Sequence, residues 1–206
     1  MQYSKKVLDH FMHPHNIGEI KDADSVATEG SPACGDQVTL FLKVNPDTKI
    51  IDDIKFQSYG CASNIATGSI ITEMAKGKSL DEAKKIDWKS AAAELDGLPP
   101  QKMHCSVLAV DTLRTAIQNY ELKNNLIEKE VISKTTIVKE LKNIIHPLSG
   151  EDIISMKLVK YAGFENGIAI IDLDIPSFDQ YRDNIAEEIK EHLEKFEEIN
   201  DIKITM

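Results

Sequence analysis

The stretch "QVTLFLKVNPDTKIIDDIKFQSYG", residues 37–60, decides the fold class. Its flanks, "QVTLFLKVN" and "IIDDIKFQSYG", are rich in β-branched and aromatic residues, and the turn-like "PDTK" between them predicts a hairpin. Beyond Gly60 the period changes. "ASNIATGSIITEMAKG" can turn Ile65, Ile71, Met74 and Ala75 to a core, with Gly77 as its stop. "SVLAVDTLRTAIQNYEL" repeats Val107, Val110, Leu113, Ile117 and Tyr120 at helical spacing. At the other end, "MQYSKKVLDHFM" reads as a helix with Ser4 as N-cap and Val7, Leu8 and Phe11 on one face. Helices beside a hairpin make an α+β domain, a small antiparallel sheet packed by helices.

The pattern then breaks and restarts. Residues 1–125 form the first expected domain, the polar stretch 126–134 a linker, and residues 135–206 a second small domain. "TTIVKELKNIIHP" gives a helical face of Ile137, Val138, Leu141, Ile144 and Ile145, stopped by Pro147. "DIISMKLVKYAG" and "GIAIIDLDI" read as strands joined at "FENG", "QYRDNIAEEIKEHLEKF" as an amphipathic helix, and "DIKITM" as a last strand. The second domain is therefore read as α-β-β-α-β.

Composition excludes several classes. A net charge of -10, with Arg114 and Arg182 the only arginines, is the reverse of a nucleic-acid binder. No apolar run nears the roughly 18 residues of a membrane span and no signal peptide opens the chain, so a cytoplasmic protein is expected. The three cysteines are an odd number, all within the first 105 residues, which favours free thiols over a disulfide framework.

The thiols sit at element boundaries. Cys34 lies in the loop "GSPACGDQ" before the first expected strand, between Ala33 and Gly35 and two residues before the carboxylate of Asp36. Cys61 follows the second strand, and Cys105, beside His104, opens a helix. A helix N-terminus favours thiolate by about 0.3–1 kcal/mol, less than about one pKa unit, so a metal or a cation must supply the rest. Three thiolates favour zinc or an iron-sulfur cluster, with a carboxylate or His104 in a fourth position. Pro99 and Pro100 are expected to hold "LPPQK" extended and helix-free ahead of Cys105. His10, His13 and His15 in "DHFMHPHN" read as a solvated helix end and turn rather than a metal site, and Tyr3 as a local packing residue.

"PACGD", "YGCASNIATGSIITEMAKGKSLDEA" and "LPPQKMHCSVLA", in this order, resemble the three signature segments of the IscU/NifU-type iron-sulfur cluster scaffold proteins. The resemblance implies a non-enzymatic scaffold on which a labile 2Fe-2S cluster is built and handed to apo-proteins, with a 4Fe-4S cluster in a homodimer as a variant. It implies Cys34, Cys61 and Cys105 as cluster and metal ligands, Asp36 as the carboxylate that promotes release, and His104 as an alternative ligand. Cys105 corresponds to the persulfide acceptor, which must be accessible to a partner's persulfide, and Leu98, Pro99, Pro100, Gln101 and Lys102 to the segment read by an Hsp70-type chaperone. Gln101 stands where valine is commoner. The implied partners are a cysteine desulfurase, a ferredoxin or other reductant, Hsp70/J-type chaperones, a frataxin-like protein and apo iron-sulfur acceptors. Nucleic acid and membrane are not among them.

Two rivals use the same residues: a zinc-binding interaction module, and a thiol enzyme with Cys105 as nucleophile. The second fares worse, because adjacent side chains at a helix start diverge and leave His104 poorly placed to activate Cys105. The second domain is more weakly similar to the small domain of iron-sulfur maturation factors and Mrp-type carrier ATPases, through "IIHPLSGEDIISMKLV". Phe178 stands where many relatives place a cysteine, so docking, dimerisation or acceptor recruitment is the expected role.

Overall fold

In β2 (Asp36–Val44) every second side chain is buried: Asp36, Val38, Leu40, Leu42 and Val44. This period-2 pattern marks a strand with one face covered. The computed structural model describes residues 3–31, 35–128 and 131–206, which divide into two units, Met1–Lys129 and Glu130–Met206. In the first unit β2 pairs antiparallel with β3 (Ile51–Tyr59) on one side and with β1 (Ser25–Ser31) on the other. The hairpin lies where the sequence placed it. β1 is an addition, because its buried positions, Ser25 and Ala27, are too small to produce an apolar alternation, and Val26 on the other face is exposed.

Helices cover the inner face. α1 (Lys5–Met12) is capped by Ser4, whose hydroxyl accepts the Val7 N–H at 3.0 Å. Its buried face is Val7 and His10 rather than the expected Val7, Leu8 and Phe11, both of the latter being exposed. The reason lies in α2 (Ala62–Ala75), which offers Ala66 and Ile70 to Val7 and the Ser69 hydroxyl to His10.

α2 is buried along nearly its whole circumference and contacts β3, α1 and α5 (Met103–Lys123). Small residues permit this: a Cβ on Gly68 would stand 2.6 Å from the Phe56 ring. The buried hydroxyls of Thr67 and Thr72 donate to carbonyls three or four residues back, which avoids the penalty of about 1–3 kcal/mol for an unpaired polar group. Gly77, at φ +78°, ends the helical segment as expected. Two short helices, α3 (Leu80–Ala83) and α4 (Trp88–Glu94), each opened by a capping box, connect α2 to α5.

The expected extended segment before Cys105 reaches only Pro99, which has φ -56° and ψ 143°. Pro100–Lys102 form a 3-10 turn instead, since proline is pre-set for the first position of a helical turn. On α5, Val107, Val110, Leu113, Ile117 and Tyr120 are all buried, as their spacing predicts.

The second unit contains α6 (Lys134–Leu141), β4 (Val159–Glu165), β5 (Ile168–Leu173), α7 (Arg182–Glu194) and β6 (Asp201–Thr205). The α-β-β-α-β order is present; β4 and β5 are antiparallel, and β6 returns through α7 to pair parallel with β5. Two boundaries differ from expectation. The first helix ends at Leu141, not near Pro147, because Ile144 and Ile153 hydrogen-bond to each other and bury as a loop. The strand begins at Val159, not Asp152, because the Asp152 carboxylate accepts the Ser155 N–H at 2.7 Å and closes a turn there. Within the expected linker, Ile132 is buried in the second unit's core and Ser133 caps α6. Among the described residues no helix is long and apolar enough to cross a membrane.

Candidate metal centre

Asp36 is the first residue of β2 and lies on the strand's buried face. Continuing the inner-face alternation of β3, Ile54 and Phe56, leads through Ser58 to Gly60, beside Asp36. A Cβ on Gly60 would lie 2.6 Å from Asp36 Oδ1 and 2.7 Å from Asn64 Nδ2, so only glycine leaves room for the carboxylate. The next residue, Cys61, is the N-cap of α2, and its N–H donates to Asp36 Oδ1 at 3.3 Å. Cys105 enters from the first turn of α5.

These groups converge. Cys61 Sγ lies 3.5 Å from Asp36 Oδ2, Cys105 Sγ 3.7 Å from the same oxygen, and the two sulfurs are 3.8 Å apart. His104 joins them: its ring, Asp36 and Cys105 each offer a ligand atom within 4.8 Å of the others. Its Nε2 is buried without a hydrogen-bond partner. A buried orphan nitrogen on a residue grouped with one sulfur and a carboxylate suits an incoming metal ion, which would satisfy it. Cys34 lies outside the described residues.

The two thiols differ in exposure and charge. Cys105 is buried, against the expectation of an accessible sulfur acceptor, because α2 and α5 pack around it; Cys61 is partly exposed. The hydrogen bond between the two sulfurs, with the Asn64 N–H and the Lys102 charge, lowers the Cys61 pKa to about 5, against desolvation and Asp36. The same interaction, burial and the charges of Cys61 and Asp36 push Cys105 up. Cys61 is therefore the more acidic thiol of the pair, and also the more exposed. Burial works against the charge of Lys102, but the sulfurs of Cys61 and Cys105 outweigh it and raise its pKa.

Three supporting residues were not singled out from sequence. Gly60 was legible as the next inner position of β3. Asn64, one turn after Cys61, donates to Ser58 Oγ at 3.0 Å and the Gln37 carbonyl at 3.3 Å, binding the helix start to the sheet. Thr67 donates to the Cys105 carbonyl at 3.2 Å. The last two depend on tertiary packing and leave no sequence signal.

Leu98, Pro99, Pro100 and Gln101 border a cleft of about 790 Å³ with Tyr3, Ser4, Asp96 and Gly97, whereas Lys102 interacts with the sulfurs instead. Leu98 and Tyr3 pack on the cluster of Val7, Ala66, Ile70 and Leu95, while Pro100 and Gln101 are exposed. The three histidines do not form the expected solvated group: His10 is buried and shares a 2.8 Å hydrogen bond with Ser69, while His13 and His15 are exposed. Burial holds the His10 pKa below its usual value.

The family described as "NifU-like N terminal domain" matches residues 2–127, more than half of the chain, and the protein belongs to it. Two iron-sulfur cluster assembly scaffold proteins IscU of Archaeoglobus fulgidus are each 53% identical over 142 residues, covering 69% of this chain and 90% of theirs. The IscU of Aquifex aeolicus is 45% identical over 128 residues, 62% of this chain and 82% of its own. The crystal structure of the N-terminal part of a nitrogen-fixing NifU-like protein from Brucella abortus aligns at a TM-score of 0.47 and 22% identity, over 58% of this chain and 94% of that one.

Proposed function

We infer that this protein is a scaffold for assembling an iron-sulfur cluster and passing it to apo-proteins, and that it does so without being an enzyme. The carrying observation is the meeting of Cys61, Cys105 and Asp36 with the unpartnered His104 nitrogen. Sulfur ligands suit iron, and one carboxylate oxygen makes the set exchangeable. Membership of the family and the scaffold relatives support the same reading.

The cluster is the cargo. Cys34, Cys61 and Cys105 are its thiolate ligands, Asp36 the weaker oxygen ligand that lets it leave, and His104 a ligand in the alternative set. The cargo is a 2Fe-2S cluster, with a 4Fe-4S form requiring a homodimer. Zinc suits the same mixture of sulfur, nitrogen and oxygen and competes for the site when iron is scarce.

Sulfur arrives from a cysteine desulfurase as a persulfide on Cys105. Its buried thiol must first be uncovered and deprotonated; until then Cys61 is the more exposed and the more acidic thiol. Each sulfane sulfur needs two electrons to become sulfide, which a ferredoxin or another reductant supplies. A frataxin-like protein, Hsp70/J-type chaperones acting at Leu98–Lys102, and apo acceptors complete the set of partners. Residues 130–206, which lack cysteine and expose Phe178, serve docking or acceptor recruitment, in the manner of a maturation-factor domain.

The test is anaerobic reconstitution with ferrous iron, cysteine and a desulfurase, followed by visible absorbance and transfer to an apo-ferredoxin. A chromophore that forms and moves is expected; tight zinc binding with no transferable chromophore would replace this reading with an interaction module. Intact-mass measurement of the single Cys→Ser variants assigns the persulfide, and sulfur loading that survives Cys105→Ser would reassign the acceptor to another thiol.

A further inference from the structure

Among the described residues one other group of side chains can hold a metal ion: His10, His15 and Glu73. His10 is in α1, His15 in the turn that follows, and Glu73 near the far end of α2 from Cys61. Twelve residues of helix separate Cys61 from Glu73, roughly 18 Å along the axis, so the two centres share a helix and no ligand.

The geometry is built rather than incidental. Ser69 Oγ lies 2.8 Å from His10 Nδ1 and accepts the His15 N–H at 2.9 Å, so one hydroxyl orients both histidines. With Nδ1 engaged, His10 turns Nε2 towards the Glu73 carboxylate, which it faces at 3.9 Å, beyond hydrogen-bond reach. The other oxygen of that carboxylate touches His15 Nδ1, and the imidazole centroids are 5.2 Å apart. Asn16, at φ +55°, donates to Thr72 Oγ1 at 3.1 Å and fixes the turn that carries His15.

We propose that His10 Nε2, His15 Nδ1 and Glu73 form a second site, for a single divalent first-row transition-metal ion of the zinc class. Two imidazoles and one carboxylate match the donor preference of such ions, and bonds of about 2.0–2.2 Å would bring the ligand atoms to roughly 3.3 Å from one another. All three atoms already lie within 4.8 Å of one another. The Ser69 hydroxyl is the partner that holds a coordinating imidazole in its required tautomer, with Nδ1–H donating and Nε2 free. His15 and Glu73 are partly exposed, which gives the ion an entry path and a water-filled fourth position. Bound there, the ion cross-links α1 to α2.

The experiment uses the full chain with Cys34, Cys61 and Cys105 replaced by serine, titrated with zinc chloride by calorimetry. One ion per chain is expected, with at least a tenfold loss of affinity in His15→Ala and in Glu73→Gln. Zinc binding that is absent, that is unchanged in both variants, or that is lost only with His104→Ala overturns the proposal. If either variant melts early, side-chain nitrogen NMR of the parent answers instead: zinc must shift the His10 and His15 ring resonances, and unmoved rings overturn the site.

Discussion

Replacing Gly60 by alanine tests how the carboxylate is held. The added Cβ would stand 2.6 Å from Asp36 Oδ1, whereas ordinary contact begins at 3.4 Å, so about 0.8 Å must be found. Asn64 Nδ2, at 2.7 Å, blocks escape on the other side. Moving Asp36 by that amount breaks its bond with the Cys61 N–H, now 3.3 Å, a charge-assisted interaction worth about 1.5–3 kcal/mol. Gly60→Ala should therefore lower unfolding stability by about 1.5–3 kcal/mol and weaken zinc binding at the Cys61/Cys105 centre by roughly 10- to 100-fold. Urea unfolding and a competitive zinc titration measure the two effects. In an Asp36→Ala background the added methyl meets no carboxylate, so its cost should fall by more than half. Equal cost in both backgrounds would show that the glycine does not serve Asp36.

Asp36→Ala alone should give a longer-lived cluster that is poorly donated, measured as the transfer rate to an apo-ferredoxin; rates equal to the parent would remove Asp36 from release. Alkylation of Cys61 by iodoacetamide should rise as pH increases through about 5 and be flat above 7, because the folded thiol loses its proton well below its ordinary value near 9. In Cys105→Ala the hydrogen-bonding neighbour is gone and the rise should move upward; a profile unchanged by that substitution would contradict the pairing of the two sulfurs. Ser133→Ala removes the capping box of α6, in which Ser133 Oγ accepts the Thr136 N–H at 3.3 Å, and should cost about 1 kcal/mol in the second unit's thermal transition.

The parts of this molecule legible in its sequence are those in which neighbouring residues carry the signal. β2 and β3 alternate with large apolar residues, and α5 repeats at 3.6, so both could be located before any coordinates. β1 could not, because its buried side chains are small. The helices α3 and α4 were legible through Ser79–Glu82 and Asp87–Ser90, capping pairs that are easily missed when elements run to only four and seven residues. In the second unit, Ile144 and Ile153 are as apolar as any helical or strand core, yet they are buried in a loop; periodicity reports burial there, not conformation. At the candidate metal centre, the sequence marks Cys61, Cys105, Asp36 and His104 by their place beside glycine and helix starts. The burial of Cys105 and its pairing with Cys61 arise only when α2 and α5 meet, which no local pattern encodes.

The Thr67 hydroxyl, by gripping the carbonyl of Cys105, makes the starts of α2 and α5 a single jaw carrying both sulfurs. The opposing jaw is the end of a strand bearing one oxygen, Asp36. If the proposed function holds, cargo seated between them would depart on the carboxylate side, and the jaw that carries Cys61 and Cys105 would stay assembled for the next load.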